Sequence, residues 1–339
     1  MKPQPQSTAI VVGSTWPDRE LMKKMALLLI KVGVAAGVLA LLFAKLKLQP
    51  ILQTMRLVPL PALIFALMLT VLQPLLAAVR WHLILVHRLG GALSLLRTFE
   101  AYWIGLFAGS LFAGVITGDG MRMWILSRAG LRPSKSVNSV LLDRAAALIG
   151  LLLLVAATLP FLDNRVADAP LRYGASLLLL AGVAVCCSVG LMTRVPARSQ
   201  KYRLARAVLH VTHDLWSIWR SPSVAAALLL LSVLTTLCNA LSIFVLMRSL
   251  DVSVDLVDTM VLSPLVILVI TLPVSVGGWG LREASMVGLF GMVGVPATVS
   301  LSVSILLGLL GLLVSLPGGL VMAMMASSAD RSGNERATG

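Results

Sequence analysis

The sequence predicts an all-α polytopic membrane protein, with about six full transmembrane helices plus two re-entrant segments in two inverted repeats. Three observations carry that prediction. First, 58% of the 339 residues are apolar, only 12% are charged, and the mean hydropathy is +0.95. A soluble domain is roughly 25% charged. Second, eight apolar stretches repeatedly approach the ~20 residues that a bilayer-crossing helix needs. They are continuous rather than alternating, which excludes a barrel. Third, the 28 Lys and Arg against 14 Asp and Glu, a net +14, are unevenly spread between the stretches. In a soluble chain that excess would point to nucleic acid. In a membrane chain it marks cytoplasmic loops, and no nucleic-acid partner is expected.

The stretches run in order 26–44, 59–79, 101–117, 141–161, 173–193, 222–247, 260–276 and 284–326. Residues 1–24 are polar and end in Lys23 and Lys24, and no small-residue cleavage site follows the first stretch. That pattern reads as a retained first span with a cytoplasmic N-terminus. The last stretch is too long for one span and is broken at Gly294, Val295 and Pro296, which places the true span at 297–320. Two stretches are unusual. Residues 101–117 carry Gly105, Gly109 and Gly114, and residues 260–276 carry Pro264 and Pro273. Such breakers are tolerated at membrane depth where backbone is buried in protein or lines a cavity.

The positive charges choose between re-entry and crossing for these two segments. With both re-entrant, the inner loops hold 19 Lys and Arg and the outer loops 7. With both crossing, the split becomes 12 inside against 14 outside. Only the first obeys the positive-inside rule. Both termini are then cytoplasmic, in a bacterial-type inner membrane. The organisation is a polar segment 1–24, one membrane domain 25–326 and a polar tail 327–339, with repeat one at about 25–161 and repeat two at about 173–326. The long inner loop 194–221 repeats Leu204, Val208, Val211, Leu215 and Trp219 at helical spacing and reads as an amphipathic helix on the leaflet.

An internal repeat follows from an offset of 160. It lays Gly118 on Gly278, Gly120 on Gly280 and Arg122 on Arg282, with span 59–79 on 219–239 and span 141–161 on 301–321. Three full crossings per half start the second half from the opposite face. The halves are then inverted about an axis in the membrane plane, a transporter-like arrangement with substrate near broken helices at the repeat interface.

The chemistry-bearing residues gather at the breaks. Gly118 and Gly120 predict a turn feeding a helix that runs from about Gly120 to Gly130, and Pro273, Gly277, Gly278 and Gly280 predict the equivalent turn in the second half. Arg122 and Arg282 would then occupy first helical turns, where a cation is unfavourable without an acidic partner or an anionic ligand. Local pairs, Asp119 with Arg122 and Arg282 with Glu283, compete with substrate contact for that role. Asp143 and Arg144 stand together at the lip of a span, where charge is costly unless it faces protein or water. Adjacent residues on a helix point about 100° apart, so each needs its own partner: Asp143 with Arg122, and Arg144 with Asp119.

Other polar residues carry structural readings. Arg80 and Trp81 read as an interfacial anchor ending a span. Lys31 reads as a snorkelling cation, and Thr235, Thr236 and Asn239 as packing hydrogen bonds. Cys186, Cys187, Cys238 and the four histidines have no metal-ligand spacing. No nucleophile elbow, phosphate-binding glycine loop or zinc-protease motif occurs, so no cofactor, metal or catalytic residue is expected and the chain does not read as an enzyme.

Three pieces now resemble a known family, the flippase-like integral membrane family named after the transmembrane region of lysylphosphatidylglycerol synthase. They are Gly118-Asp119-Gly120-Met121-Arg122, then Asp143-Arg144, then Pro273-Val274-Ser275-Val276-Gly277-Gly278-Trp279-Gly280-Leu281-Arg282-Glu283. The closing Leu316-Pro317-Gly318-Gly319 is similar too, and the resemblance covers about residues 25–325. The first motif departs from the family pattern, with Thr117 in place of a glycine and Ala113 in place of a proline. The resemblance implies lipid translocation by a stand-alone member without the soluble aminoacyl-transfer domain. Asp119, Arg122, Asp143, Arg144, Arg282 and Glu283 are then expected to line one cavity and contact a polar or anionic lipid head group. The alternative is a non-transporting membrane partner of a lipid- or glycan-modifying enzyme, with membrane lipid as the partner common to both.

Overall fold

A computed structural model of the chain describes residues 48–89, 93–111, 115–162, 221–271 and 279–337, with positions 176, 180 and 184. Every described element is helical: α1 (Leu48–Arg56), α2 (Leu60–Leu89), α3 (Leu95–Leu111), α4 (Val115–Arg128), α5 (Pro133–Leu162), α6 (Pro222–Arg248), α7 (Leu256–Ile270), α8 (Leu281–Gly291) and α9 (Ala297–Ala337). The expected span 26–44, the expected span 173–193 apart from positions 176, 180 and 184, the surface helix up to residue 220, and Pro273, Gly277 and Gly278 lie outside the described residues.

Four described helices are long and apolar enough to cross a membrane: Leu60–His87, Pro133–Thr158, Pro222–Arg248 and Ala297–Met325. The protein is a multi-pass membrane protein. Leu, Ala and Val runs build these helices, and local chemistry sets their ends. Pro222 opens α6 at a position where its missing N–H is not needed. Gly130, at φ +90°, closes α4 just beyond Arg128. The break at Gly294 to Pro296 holds, and α9 starts at Ala297.

The helix order recurs. A long helix, two short helices and a long helix fill Leu60–Leu162, and the same sequence of elements fills Pro222–Ala337. The short members are 17, 14, 15 and 11 residues. At 1.5 Å per residue, even the longest reaches only about 26 Å, short of a ~30 Å hydrocarbon core.

α2 and α6 are in extensive contact and run antiparallel. Ala66 packs in one core cluster with Ile243, Leu246 and Met247, Arg80 bonds Ser232, and Ile84 shares a cluster with Leu228. Rising numbers on α2 meet falling numbers on α6. The short helices cross over between the two runs of elements: α3 packs on α9, and α7 packs on α5. At the first crossing Gly318 lies against the Trp103 backbone, a Cβ on Gly319 would come within 2.6 Å of the Phe107 ring, and the Trp103 indole N–H donates to the Val314 carbonyl at 3.1 Å.

Exposed apolar side chains form stripes at helical spacing. Leu60, Ile64, Met68 and Leu72 mark α2, and Leu309, Leu313, Leu316, Leu320 and Met324 mark α9. In a bilayer such faces meet acyl chains, with no cost to exposing them.

A buried charge network as candidate functional site

α3 and α4 form a hairpin. A Cβ at Gly105 would fall 2.8 Å from Arg122 Cγ, and one at Gly118 would fall 2.5 Å from the Gly105 carbonyl oxygen. The absent side chains let the backbones touch, which brings Arg122 against the neighbouring helices.

Around this contact five charges interlock. Arg122 donates through Nη2 to Asp143 Oδ2 at 2.9 Å, and Arg80 donates through Nε to Asp143 Oδ1 at 2.9 Å. Arg80 also donates through Nη1 to Ser232 Oγ at 3.0 Å, reaching α6. Arg144 grips Asp119 with two donors, Nε to Oδ2 at 2.8 Å and Nη2 to Oδ1 at 2.7 Å. A longer Arg122–Asp119 contact of 3.4 Å joins the two pairs. The Arg122 guanidinium lies 4.1 Å from the Trp81 ring centroid and 4.6 Å from that of Tyr102.

Three arginines face two carboxylates, so the network carries one excess positive charge. It is sealed at one end and open at the other. The side chains of Arg80, Arg122 and Asp143 are 5% exposed or less, whereas that of Arg144 is 45% exposed and that of Asp119 15%. Two buried donors, Arg122 Nε and Trp81 Nε1, have no acceptor among the described residues. Buried ionisable groups in spanning helices are costly, and such clusters mark functional sites by default.

The second half holds a smaller cluster. Arg282 donates through Nη2 to Glu283 Oε1 at 2.7 Å and through Nε to Ser304 Oγ at 3.2 Å, and it lies 4.6 Å from the Trp279 ring. Ser304 donates to Glu283 Oε1 at 3.2 Å. Gly280, at φ +82°, donates its N–H to Glu283 Oε2 at 2.6 Å, so Glu283 caps the start of α8. Arg282 therefore stands in a first turn as expected, paired locally.

The residues expected to meet one cavity form these two separate clusters, and among the described residues no ion pair joins them. The pairs Asp143 with Arg122 and Arg144 with Asp119 are present. Gly118 and Gly120 correct the expected turn. They lie inside α4, which begins at Val115, so Arg122 is two turns into the helix instead of in its first. α3 ends at Leu111 and α4 is already under way at Val115, and Gly118 serves close packing. Arg80 and Trp81 are the second correction. α2 continues to Leu89, both side chains are buried, and Arg80 belongs to the network. Its signal in the sequence was a cation flanked by apolar residues, but both of its partners lie far along the chain.

The remaining polar residues behave as packing groups. Ser263 donates to Asn239 Oδ1 at 3.0 Å, and Thr235 and Thr236 bond carbonyls one turn back. His82 meets Thr98 at 3.0 Å, and among the described residues no group of three His, Cys, Asp or Glu could hold a metal ion.

Two cavities flank the hairpin, and none of the six expected residues lines either. One of about 490 Å³ lies between α2, α3 and α9, at Val71, Trp103 and Pro317. The other, of about 640 Å³, lies between α3, α4 and the end of α9.

A family model described as the lysylphosphatidylglycerol synthase TM region matches residues 28–319. No curated protein matches the chain.

Proposed function

This chain belongs to the family of the lysylphosphatidylglycerol synthase transmembrane region, and from that premise we propose that it is a flippase-like lipid transporter. It moves a polar or anionic lipid head group between leaflets without changing it covalently. The observation that carries this reading is the network of Arg80, Arg122, Arg144, Asp119 and Asp143, which sets one excess positive charge among spanning helices and opens it at Arg144.

The chemistry is an exchange of acceptors. Arg144 presents a planar two-donor fork to Asp119, and a phosphate oxygen pair fits the same fork. An entering anionic head group displaces Asp119 from Arg144 while Asp143 keeps Arg80 and Arg122 paired. Arg282, 160 residues on from Arg122, offers a second station. The acyl chains stay in lipid along the apolar stripes.

The architecture supporting this is two inverted repeats of three full spans and one re-entrant hairpin each. The recurring helix order, the short arms of α3 and α4, and the antiparallel course of α2 and α6 all favour it. With Arg80, Arg122 and Arg282 set aside as members of the two clusters, the Lys and Arg still divide 17 inside against 6 outside, which favours a cytoplasmic membrane location with both termini inside.

The test is reconstitution of the full chain into vesicles carrying a head-group-labelled anionic phospholipid, read by loss of the outer-leaflet label. Wild type should exchange lipid faster than empty vesicles, and Arg144→Gln should slow exchange at least ~10-fold, since a charge-assisted fork is lost. Wild-type vesicles that behave as empty ones would overturn transport.

A further inference from the structure

We propose that the cavity at the open end of the α3–α4 hairpin is a docking site for one anionic phospholipid. Its phosphodiester sits between Arg97 and Arg128, and an acyl chain lies along Met121, Trp124 and Met322. All of these side chains line the 640 Å³ cavity.

The hairpin geometry sets the two cations at nearly one level in the lining of the same cavity. Gly105 abuts Gly118 across the hairpin. Arg97 is eight residues back along α3 from that contact, and Arg128 is ten residues on along α4. At 1.5 Å per residue the two leave their helices about 12 and 15 Å from the glycine contact, at nearly one level. Neither has a carboxylate in ion-pair range among the described residues. Arg128 lies 5.0 Å from the Trp124 ring, which fixes its guanidinium at the rim.

Charge selects the occupant. Arg97, Arg128 and Glu100 are the ionisable groups of the lining, and their sum of +1 matches the single negative charge of a phosphodiester. The rest of the wall is apolar, and Leu96 and Trp124 beside it are exposed, at 69% and 50%. A soluble anion would leave that wall unfilled, whereas a lipid covers it. The inverted-repeat reading proposed above would put this open end of the hairpin at the inner leaflet, and the site rests on that reading for its side of the membrane but not for its binding chemistry.

The full chain in detergent, titrated with short-chain phosphatidylglycerol or phosphatidylcholine and read by native mass spectrometry, tests this. Wild type should retain one phosphatidylglycerol with about tenfold preference over phosphatidylcholine, the scale of a lost charge-assisted pair. Arg97→Gln combined with Arg128→Gln should erase the preference. Ala129→Trp, which fills the apolar part, should weaken both lipids alike. Equal binding of the two lipids by wild type, or a preference surviving in the double variant, overturns the site. Displacement of phosphatidylglycerol by millimolar inorganic phosphate overturns the lipid as occupant. Selective binding in a protein that moves no lipid in vesicles would sink the flippase reading and leave the docking site standing.

Discussion

Arg122 and Asp143 meet at 2.9 Å across two helices, with their side chains only 3% and 1% exposed. The same carboxylate accepts from Arg80 through its other oxygen. One buried acid therefore pairs with two buried arginines and offsets only one of their two charges.

Removing that acid should be more damaging than removing either base. Asp143→Asn leaves two buried guanidiniums facing each other, at a cost of about 3–5 kcal/mol. Ser232→Ala, which takes only one acceptor from Arg80, should cost about 1 kcal/mol. Thermal unfolding in detergent, followed by helical signal, ranks the two. Exchanging the charges, Arg122→Asp with Asp143→Arg, should fail to restore stability because the new arginine faces Arg80. Full recovery in that double variant would show that Arg80 is not part of the network.

The two glycines of α4 should respond oppositely to the same change. A Cβ at Gly118 meets the Gly105 carbonyl, so Gly118→Ala should destabilise by about 1–3 kcal/mol or more. A Cβ at Gly120 meets nothing within 4 Å, and Gly120→Ala should be neutral or stabilise by up to ~1 kcal/mol through helix propensity. Equal effects would return both residues to a turn.

The fold was legible where it rests on local pattern and illegible where it rests on distant contact. Apolar runs located the four long helices, and Gly294 with Pro296 located the start of α9. The 100° step between neighbours was enough to assign Asp143 and Arg144 to different partners. Arg80 was misread because its partners are 63 and 152 residues away. Gly118 was misread because poor helix propensity looks like a turn. Its actual role, letting α3 and α4 touch, is set by a residue on another helix.

Oxidative crosslinking should report the antiparallel α2–α6 pair. With Cys186, Cys187 and Cys238 replaced, Ile84→Cys should join Leu228→Cys, since the native side chains share a core cluster. Ile84→Cys should not join Ile243→Cys, whose native side chain packs with Ala66 instead. The reverse pattern would make the helices parallel.

The two hairpins should face opposite sides of the membrane under the inverted-repeat proposal. Single cysteines at Arg132 and Met292, both exposed, are suited to an impermeant thiol reagent. Met292→Cys should label on intact cells lacking an outer barrier, and Arg132→Cys only after lysis. Labelling of both from one side would defeat the inversion.

Loss of Glu283 should separate its two duties. Glu283→Gln keeps an oxygen for the Gly280 N–H but drops the charge beside Arg282, while Glu283→Ala loses both. The alanine variant should melt lower than the glutamine variant by about 1 kcal/mol or more, the scale of a cap. Identical melting would mean that the cap contributes nothing.

The crossing of α3 onto α9 and of α7 onto α5 makes the protein a clasp. Neither run of helices can be pulled from the other without opening both overlaps at once. Rocking of one run against the other would have to open both overlaps together, whereas a stroke within one hairpin would leave the other overlap closed. Under the transport proposal, the passage of cargo would be timed by small shifts of one arm along its rail, with Trp103 and Gly318 as the bearing surface.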